Sequence, residues 1–527
     1  MKKWSGWRSE YANNKYDAII IGSGISGLTT GIFLARLGKK VLILEKHFKA
    51  GGWTHTFKRD NYEWDVGIHY IGEVHNPNSP VRKLFDLVSD GKLEWHKMGS
   101  NYDRIIFPDN QYNFVAPREQ FIQDMAGYFP GTEDKIRRYI QMVDEAVKSG
   151  QSYFANKALP NWLGNFTYNK MTGKFFKYSD RTTKEVIMEI FNDETILGVL
   201  SGQWGDHGLP PEQSSFAMHA MVVRHYLDGG NYPIGTSRRI AETAVDYLQS
   251  MGGELYVSAA VDEIITHKGK AVGVRMEKGE EVMAPLVISS AGVMNTYGSL
   301  LRNENGHFNG ESKLQTVKPT SSYICLYLGL NKSAEELKLG DTNLWIYPSY
   351  DHDKNVRDFM QDSTKDLPVV YVSFPSAKDP AFEKDNPGFA TMEAITVANW
   401  SEYENWKDEP WKKRGDEYEK MKEKLSERIL NTVYKHVPQA KEAMAYSELS
   451  TPLSVKSLAN YPKGELYGID HTPDRFHQKW LKPKSEIKNL YLTGQDVLTV
   501  GVTSALFSGL VTASAITKKN LMKELFR

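Results

Sequence analysis

The stretch DAIIIGSGISGLTTGIFLARLGKKVLILEK, residues 17–46, decides the fold. It opens on a short apolar run, DAIII, of the kind that forms a strand covered on both faces. G-x-G-x-x-G follows at Gly22, Gly24 and Gly27, then a helical stretch. A second apolar run, VLIL (41–44), ends at Glu45, 18 residues after Gly27. Strand, glycine turn, helix, strand and acidic residue are together the context that a dinucleotide site requires. Gly22 permits the tight turn, Gly24 lets backbone approach a pyrophosphate, and Gly27 lets the helix lie close to the sheet. The helix N-terminus offers N–H groups and a positive dipole end to the phosphates. Glu45 is expected on the adenosine ribose hydroxyls.

Working outward, LVISS (286–290) and LYLT (490–493) read as further strands of the same sheet. One sheet is therefore assembled from the start, middle and end of a 527-residue chain. What lies between forms two inserts, roughly 96–234 and 301–484. The second insert carries SSYICLYLGL, PVVYVSFPS and FATMEAITVA, expected as strands of an antiparallel sheet, then a helix over 414–437. NENGHFNGES (303–312) reads as a polar linker.

Three features select FAD over NAD. KAGGWTHTF (49–57) follows Glu45 closely, and its Gly51–Gly52 pair lets backbone lie along a longer cofactor. NLYLTGQDVLTVGVTSALFSG, from 489, reads as strand, Gly494-Gln-Asp turn and helix. Asp496 is expected on the ribityl chain, and the N–H groups at Gly501 and Val502 on a flavin carbonyl, where the dipole stabilises reduced flavin. No second G-x-G-x-x-G marks a separate NAD(P) domain. The cofactor-binding candidates are Gly22, Ser23, Gly24, Ile25, Ser26 and Gly27; Glu45, Lys46, Gly51, Gly52, Trp53 and Thr54; Gly67, Ile68 and His69; Val261; and Gly494, Asp496, Gly501 and Val502.

The formal net charge is zero, which gives no global reason to expect nucleic acid as a partner. The one cysteine, Cys325, lies in an apolar run and is expected as a buried hydrophobe. His219 and His225 are six apart, which is not one helical face, and no other His cluster has ligand spacing, so no metal is expected. The N-terminal residues lack the apolar core of a signal peptide, and no apolar run reaches the length of a spanning helix. The expected place is the cytoplasm, peripheral on the cytoplasmic face of a membrane. Aromatics between Tyr153 and Phe191 interleave with Lys157, Lys170, Lys174, Lys177, Arg181 and Lys184, as suits an anionic membrane surface.

The fingerprint, the Gly51–Gly52 pair and the C-terminal Gly-Asp element resemble the phytoene desaturase and amine oxidase superfamily of flavoproteins. GIHYIG, MHAMVVRHYLDGGNYPIG, VISSAGVMNTYGSLL, SFPSAKDP, YGIDH and LYLTGQD resemble more closely the retinol saturase and carotenoid isomerase branch. The resemblance runs from about residue 16 to 516; Thr236 stands where the desaturase-like pattern has a second glycine. It implies an α/β architecture: a Rossmann-like FAD-binding domain of glutathione-reductase/amine-oxidase type (1–95, 235–300 and 485–527) interleaved with an α+β substrate domain carrying an antiparallel sheet (96–234 and 301–484). It also implies a hydrophobic isoprenoid or polyene substrate and peripheral membrane contact.

In that branch WDVGIHYIG (64–72) lies beside the flavin ring. Its Gly67 and Gly72 then permit close approach, while His69 and Tyr70 bring polar groups to an apolar cavity. The catalytic candidates are His69, Tyr70, His219 and Tyr226. A Tyr or His is expected as proton donor, with burial lowering the His pKa and raising that of Tyr. The Gly229–Gly230 turn with Tyr232 reads as a loop entering the cavity, and Asp470 and His471 in YGIDH are further candidates. The expected reaction is saturation of a carbon–carbon double bond of retinol or a related polyene. Cis–trans isomerisation and desaturation are the alternatives within enzymes; a non-catalytic flavin-containing lipid-binding protein is the alternative outside them. The electron donor is external: a quinone, a reductase or ferredoxin.

Overall fold

A computed structural model describes residues 4–302 and 310–526. Of the expected linker, residues 303–309 lie outside the described residues, and a short helix, Glu311–Leu314, follows.

The four expected strands form: β1 Ala18–Ile21, β2 Val41–Leu44, β4 Val287–Ser289 and β5 Leu490–Leu492. A fifth, β3 Glu254–Tyr256, adds an edge that the sequence reading missed. The order is β3-β2-β1-β4-β5, every pair parallel. Helix α1, Ile25–Arg36, is buried on all sides from Ile25 to Ala35. It lies between the sheet and two further helices, Arg238–Ser250 and the C-terminal α2, Val502–Thr517, which explains its apolar circumference. Gly27 makes the close approach possible: a Cβ there would stand 2.4 Å from the Gly22 carbonyl oxygen. An antiparallel meander, Val261–His267, Lys270–Met276 and Glu281–Met283, links β3 to β4.

The second sheet has seven strands and draws on both inserts. Its order is Met444–Ser450, Ser322–Leu330, Ala390–Ala398, Val370–Ser373, Asn343–Ile346, Asn101–Ile106 and Gln111–Val115. All pairs are antiparallel except Asn343–Ile346 with Asn101–Ile106, so the expected antiparallel sheet is mixed at the seam between the two inserts. The charged helix forms over Gly415–His436.

Three local features differ from expectation. Gly230–Pro233 is a strand, not a loop, held between Ile71–Gly72 and Trp95–Lys97. Thr236 has φ +69°, a conformation that favours glycine; the Asp379 carboxylate holds it by accepting the N–H groups of Gly235 and Thr236. In 153–191, Tyr153, Phe175 and Phe191 are buried, Phe154, Tyr168, Phe176 and Tyr178 are half-buried, and Lys157 donates to the carbonyls of Leu481 and Val497. Trp162 and Phe166 alone among these aromatics are exposed, at 73% and 86%. They lie one turn apart on the helix Asn161–Ser179, followed by exposed Lys170, Lys174 and Lys177. Among the described residues no helix is long and apolar enough to cross a membrane.

Candidate functional site

A single cavity of about 1360 Å³ runs from the glycine turn after β1 into the gap between the two sheets. Sites for one small ligand occupy roughly 300–1,000 Å³, so there is room for a cofactor and a second molecule.

At the first end, Gly22, Gly24, Ile25 and Ser26 line the wall with Glu45, Lys46, Gly51, Gly52, Trp53 and Thr54. Ser23 stands behind it. Its N–H and Oγ both donate to Glu45 Oε2, at 2.8 and 2.6 Å, and its Oγ accepts from Gly51 N–H. Ser23 therefore fastens the acidic residue to both glycine turns. The N-cap of α1 is Gly24, with no side chain capping its N–H groups. The N-cap of α2, Gly501, is likewise uncapped, and Gly501, Val502 and Thr503 line the same cavity. Thr503 Oγ1 is buried there without a partner. Two helix N-termini thus open on one space. Gly67, Ile68, Val261 and Gly494 complete this end.

Asp496 does not reach the cavity. Its carboxylate accepts the N–H groups of Val293 and Ile469, at 2.8 and 3.0 Å; the neighbouring Gln495 lines the wall instead.

The second end is aromatic: Tyr70, Tyr226, Tyr323, Trp345, Tyr371 and Tyr467. Tyr70 and Tyr226 stack with centroids 4.0 Å apart. His69 also lines the cavity, its Nδ1 2.9 Å from Glu393 Oε2 but not aligned for a hydrogen bond. His219 does not: it faces the core, Nε2 2.7 Å from Tyr139 Oη. His225 accepts the Gly72 N–H and so ties the helix Phe216–Tyr226 to the Ile71–Gly72 strand. Tyr232 donates to Asp65 in the core. His471 is buried and accepts the Val500 N–H, while Asp470 bonds to Thr472. Among the described residues no group of side chains could hold a metal ion.

Beneath the aromatic end lies a polar cluster that the sequence reading did not single out. Lys378 Nζ donates to the His69 carbonyl (3.0 Å), Ser373 Oγ (2.7 Å) and Asn343 Oδ1. Asp103 accepts from Tyr70 Oη, Gln203 Nε2 and Asn343 Nδ2. Asp206 Oδ2 lies 3.2 Å from Tyr70 Oη. Burial sets the protonation here. It pushes His69 down to about 3, helped by the Lys378 charge, so the imidazole is neutral. It pushes Glu393 up to about 8 and Asp65 up to about 7, and draws Lys378 down to about 8. Tyr70 and Tyr226 rise well above the usual phenol range for the same reason, with nearby carboxylates adding to it.

Fold and cavity define an α/β protein built on a Rossmann core of the dinucleotide-binding type. Residues 20–87 match the NAD(P)-binding Rossmann-like domain. The fold is shared with cyclohexylamine oxidase from Brevibacterium oxydans: TM-score 0.60, 17% identity, 98% of this chain and 100% of that one. The chain is 35% identical to the all-trans-retinol 13,14-reductase of Danio rerio, over 97% of this chain and 87% of that one. A second protein from that fish, named an inactive all-trans-retinol 13,14-reductase, is 30% identical over 98% of this chain and 88% of its own. Prolycopene isomerase 2 of an Oncidium hybrid is 24% identical, over 95% and 84%. The chain belongs to the all-trans-retinol 13,14-reductase family of oxidoreductases.

Proposed function

We propose that this protein is an FAD-dependent oxidoreductase that saturates one carbon–carbon double bond of retinol or a related polyene. The observation that carries the reading is the single cavity. It joins a glycine cradle and two uncapped helix N-termini to an aromatic chamber within one space of about 1360 Å³. The residues fit FAD. A Cβ on Gly52 would stand 3.1 Å from Gly24 Cα, so the cradle is narrow and admits backbone alone. Gly22, Gly24 and Ser26 with the α1 N-terminus would hold the diphosphate, Glu45 the ribose, and Gly501 and Val502 a ring carbonyl. FAD supplies hydride exchange. The chain's own residues do the rest. The stacked Tyr70 and Tyr226 confine the substrate and exclude water, and neutral His69 orients it at the cradle end. We assign 1–95, 235–300 and 485–527 to cofactor binding and 96–234 and 301–484 to substrate.

The same cavity serves a cis–trans isomerase, the reading favoured by the similarity to prolycopene isomerase. The deciding experiment is anaerobic. Enzyme reduced with dithionite is mixed with all-trans-retinol and, separately, a C40 carotenoid. Flavin reoxidation with loss of one conjugated double bond is the expected result. Altered polyene geometry with the flavin still reduced assigns isomerisation instead. Flavin and polyenes all unchanged would remove the polyene reading.

Trp162 and Phe166 support membrane contact on the cytoplasmic face, because the preceding helix places Phe154 and Ala155 in the cavity wall. Burying an aromatic ring fully is worth about 1.5–3 kcal/mol. Replacing both Trp162 and Phe166 with Ser is therefore expected to weaken binding to anionic vesicles about a hundredfold, with turnover of detergent-dispersed retinol unchanged. Equal vesicle binding by the variant would refute the contact. The electron donor is an external quinone, reductase or ferredoxin.

A further inference from the structure

Tyr70 has one hydroxyl hydrogen and two carboxyl groups within reach of it. Oδ2 of Asp103 lies 2.8 Å from its Oη, and Oδ2 of Asp206 lies 3.2 Å away. One hydrogen cannot satisfy two anions. The surroundings decide between them. Asp103 also accepts from Gln203 Nε2 (2.7 Å) and Asn343 Nδ2 (2.9 Å), three donors in all. Lys378 stands behind it on Asn343 Oδ1. Such a set holds a carboxylate. Asp206 has the Tyr70 hydroxyl alone among the described residues, so its proton is the one that completes the arrangement: Asp206 donates to Tyr70, and Tyr70 donates to Asp103. Asp206 is only partly covered, and its open part faces the interior cavity, between Tyr226, Tyr323 and Tyr371. Burial and the neighbouring Asp103 both raise its pKa well above the usual carboxylate range.

From this geometry we infer that Asp206 is the proton donor of the reaction, a catalytic acid held in its neutral form against the substrate, with Tyr70 as the hydrogen-bond switch behind it. The inference rests on the polyene-saturation reading above. In the step, the Asp206 O–H turns from Tyr70 to the substrate and breaks, and its proton forms a C–H bond at one alkene carbon, using the π electron pair. The other carbon receives a hydride from reduced flavin, which ends oxidised. The new Asp206 carboxylate then takes the Tyr70 hydrogen, while Asp103 keeps Gln203 and Asn343. Negative charge is met by a donor already in place, and solvent returns the proton when product leaves. His69 is held neutral and Tyr70 and Tyr226 are made weaker acids, so Asp206 is better suited to the task than either type of residue.

The test has two readouts. In infrared difference spectra of the flavin-free protein, the wild type should show, beside the C=O bands of protonated Glu393 and Asp65, a further protonated-carboxyl C=O band that shifts in D2O. Asp206→Asn should lose that band, and Asp103→Asn should keep it. In flavin-loaded protein, Asp206→Asn should bind and hold reduced flavin normally yet reoxidise with all-trans-retinol about 10²–10⁴-fold more slowly, the usual share of a general acid. Asp206→Glu should recover part of the rate and of the solvent isotope effect. The inference is overturned if the band survives in Asp206→Asn, or if that variant reoxidises at the wild-type rate. A wild-type enzyme inert toward every polyene overturns the function and the donor role with it, even with the band present. A slow Asp206→Asn beside an active wild type separates the two outcomes.

Discussion

Gly24→Asp yields a folded protein that does not retain flavin. Gly24 has φ −56° and ψ 160°, open to any residue, and a Cβ there meets only Ser290 Oγ at 3.8 Å. The polypeptide therefore accepts the side chain without a clash. Aspartate is also a favoured N-cap, and it complements the dipole of α1. Melting of the flavin-free protein should be unchanged or slightly raised. The same carboxylate takes the N–H donors that a diphosphate needs and adds a like charge beside it. Like-charge juxtaposition costs several kcal/mol, so affinity for FAD should fall by about 10³-fold or more. Flavin absorbance after gel filtration, with titration of FAD into flavin-free protein, reads this directly. Stoichiometric flavin in the variant would place the diphosphate elsewhere. Gly27→Ala is the contrasting case. Its Cβ would stand 2.4 Å from the Gly22 carbonyl oxygen, so α1 must move off β1 and the flavin-free protein itself is destabilised, by about 1–3 kcal/mol. One substitution separates binding from folding; the other joins them.

What could be read in the sequence was what is local. The 17–46 unit carries its period, its turn and its acidic residue within thirty positions, and the structure forms each part where expected. The edge strand β3 escaped because Glu254–Tyr256 has one fully buried apolar side chain, Leu255, and three residues show no periodicity. Asp496 and Gln495 are adjacent polar residues after a glycine turn. The one that faces the cavity is settled by Val293 and Ile469, whose N–H groups claim the Asp496 carboxylate from distant segments. His219 and His225 lie roughly 120° apart around their helix, so one faces the cavity and the other the core, and the spacing does not say which. The polar cluster was out of reach for a different reason. Asp103 and Asn343 are register neighbours in the parallel pair that joins the two inserts, and Ser373 and Glu393 are register neighbours in the antiparallel pair beside it. Only that pairing brings Lys378 over all four. No short stretch of sequence contains two of its hydrogen-bond partners.

Lys378→Met is expected to cost about 3–5 kcal/mol of stability, the usual result of removing one member of a buried charged set. Lys378 is 0% exposed. Without it the His69 carbonyl, Ser373 Oγ and Asn343 Oδ1 lose a donor, and Asp103 and Glu393 lose their nearby cation. The urea midpoint reads the loss, and an unchanged midpoint would refute it. The pH dependence follows from the same cluster. Burial raises Glu393 from 4.5 to about 8, against the pull of Lys378, and raises Asp65 from 3.8 to about 7. A raised carboxyl contributes stability that is complete below its unfolded value and is lost as pH rises through its folded value. The wild type should therefore lose stability between about pH 6.5 and pH 8; below that the buried neutral histidines, His69, His207 and His219 each lowered from 6.5 to about 3, add a slope of the opposite sign. Lys378, lowered from 10.5 to about 8, acts with the reverse sign: its burial cost is present below about pH 8 and is relieved above it. The two slopes oppose each other only near and above pH 8. Glu393→Gln should flatten the curve between about pH 6.5 and pH 8. Lys378→Met should push the Glu393 transition to higher pH, because the cation that held it down is gone. A wild-type midpoint that rises from about pH 6.5 to pH 8 would mean that both carboxyls fold ionised, with Lys378 as a full counter-charge.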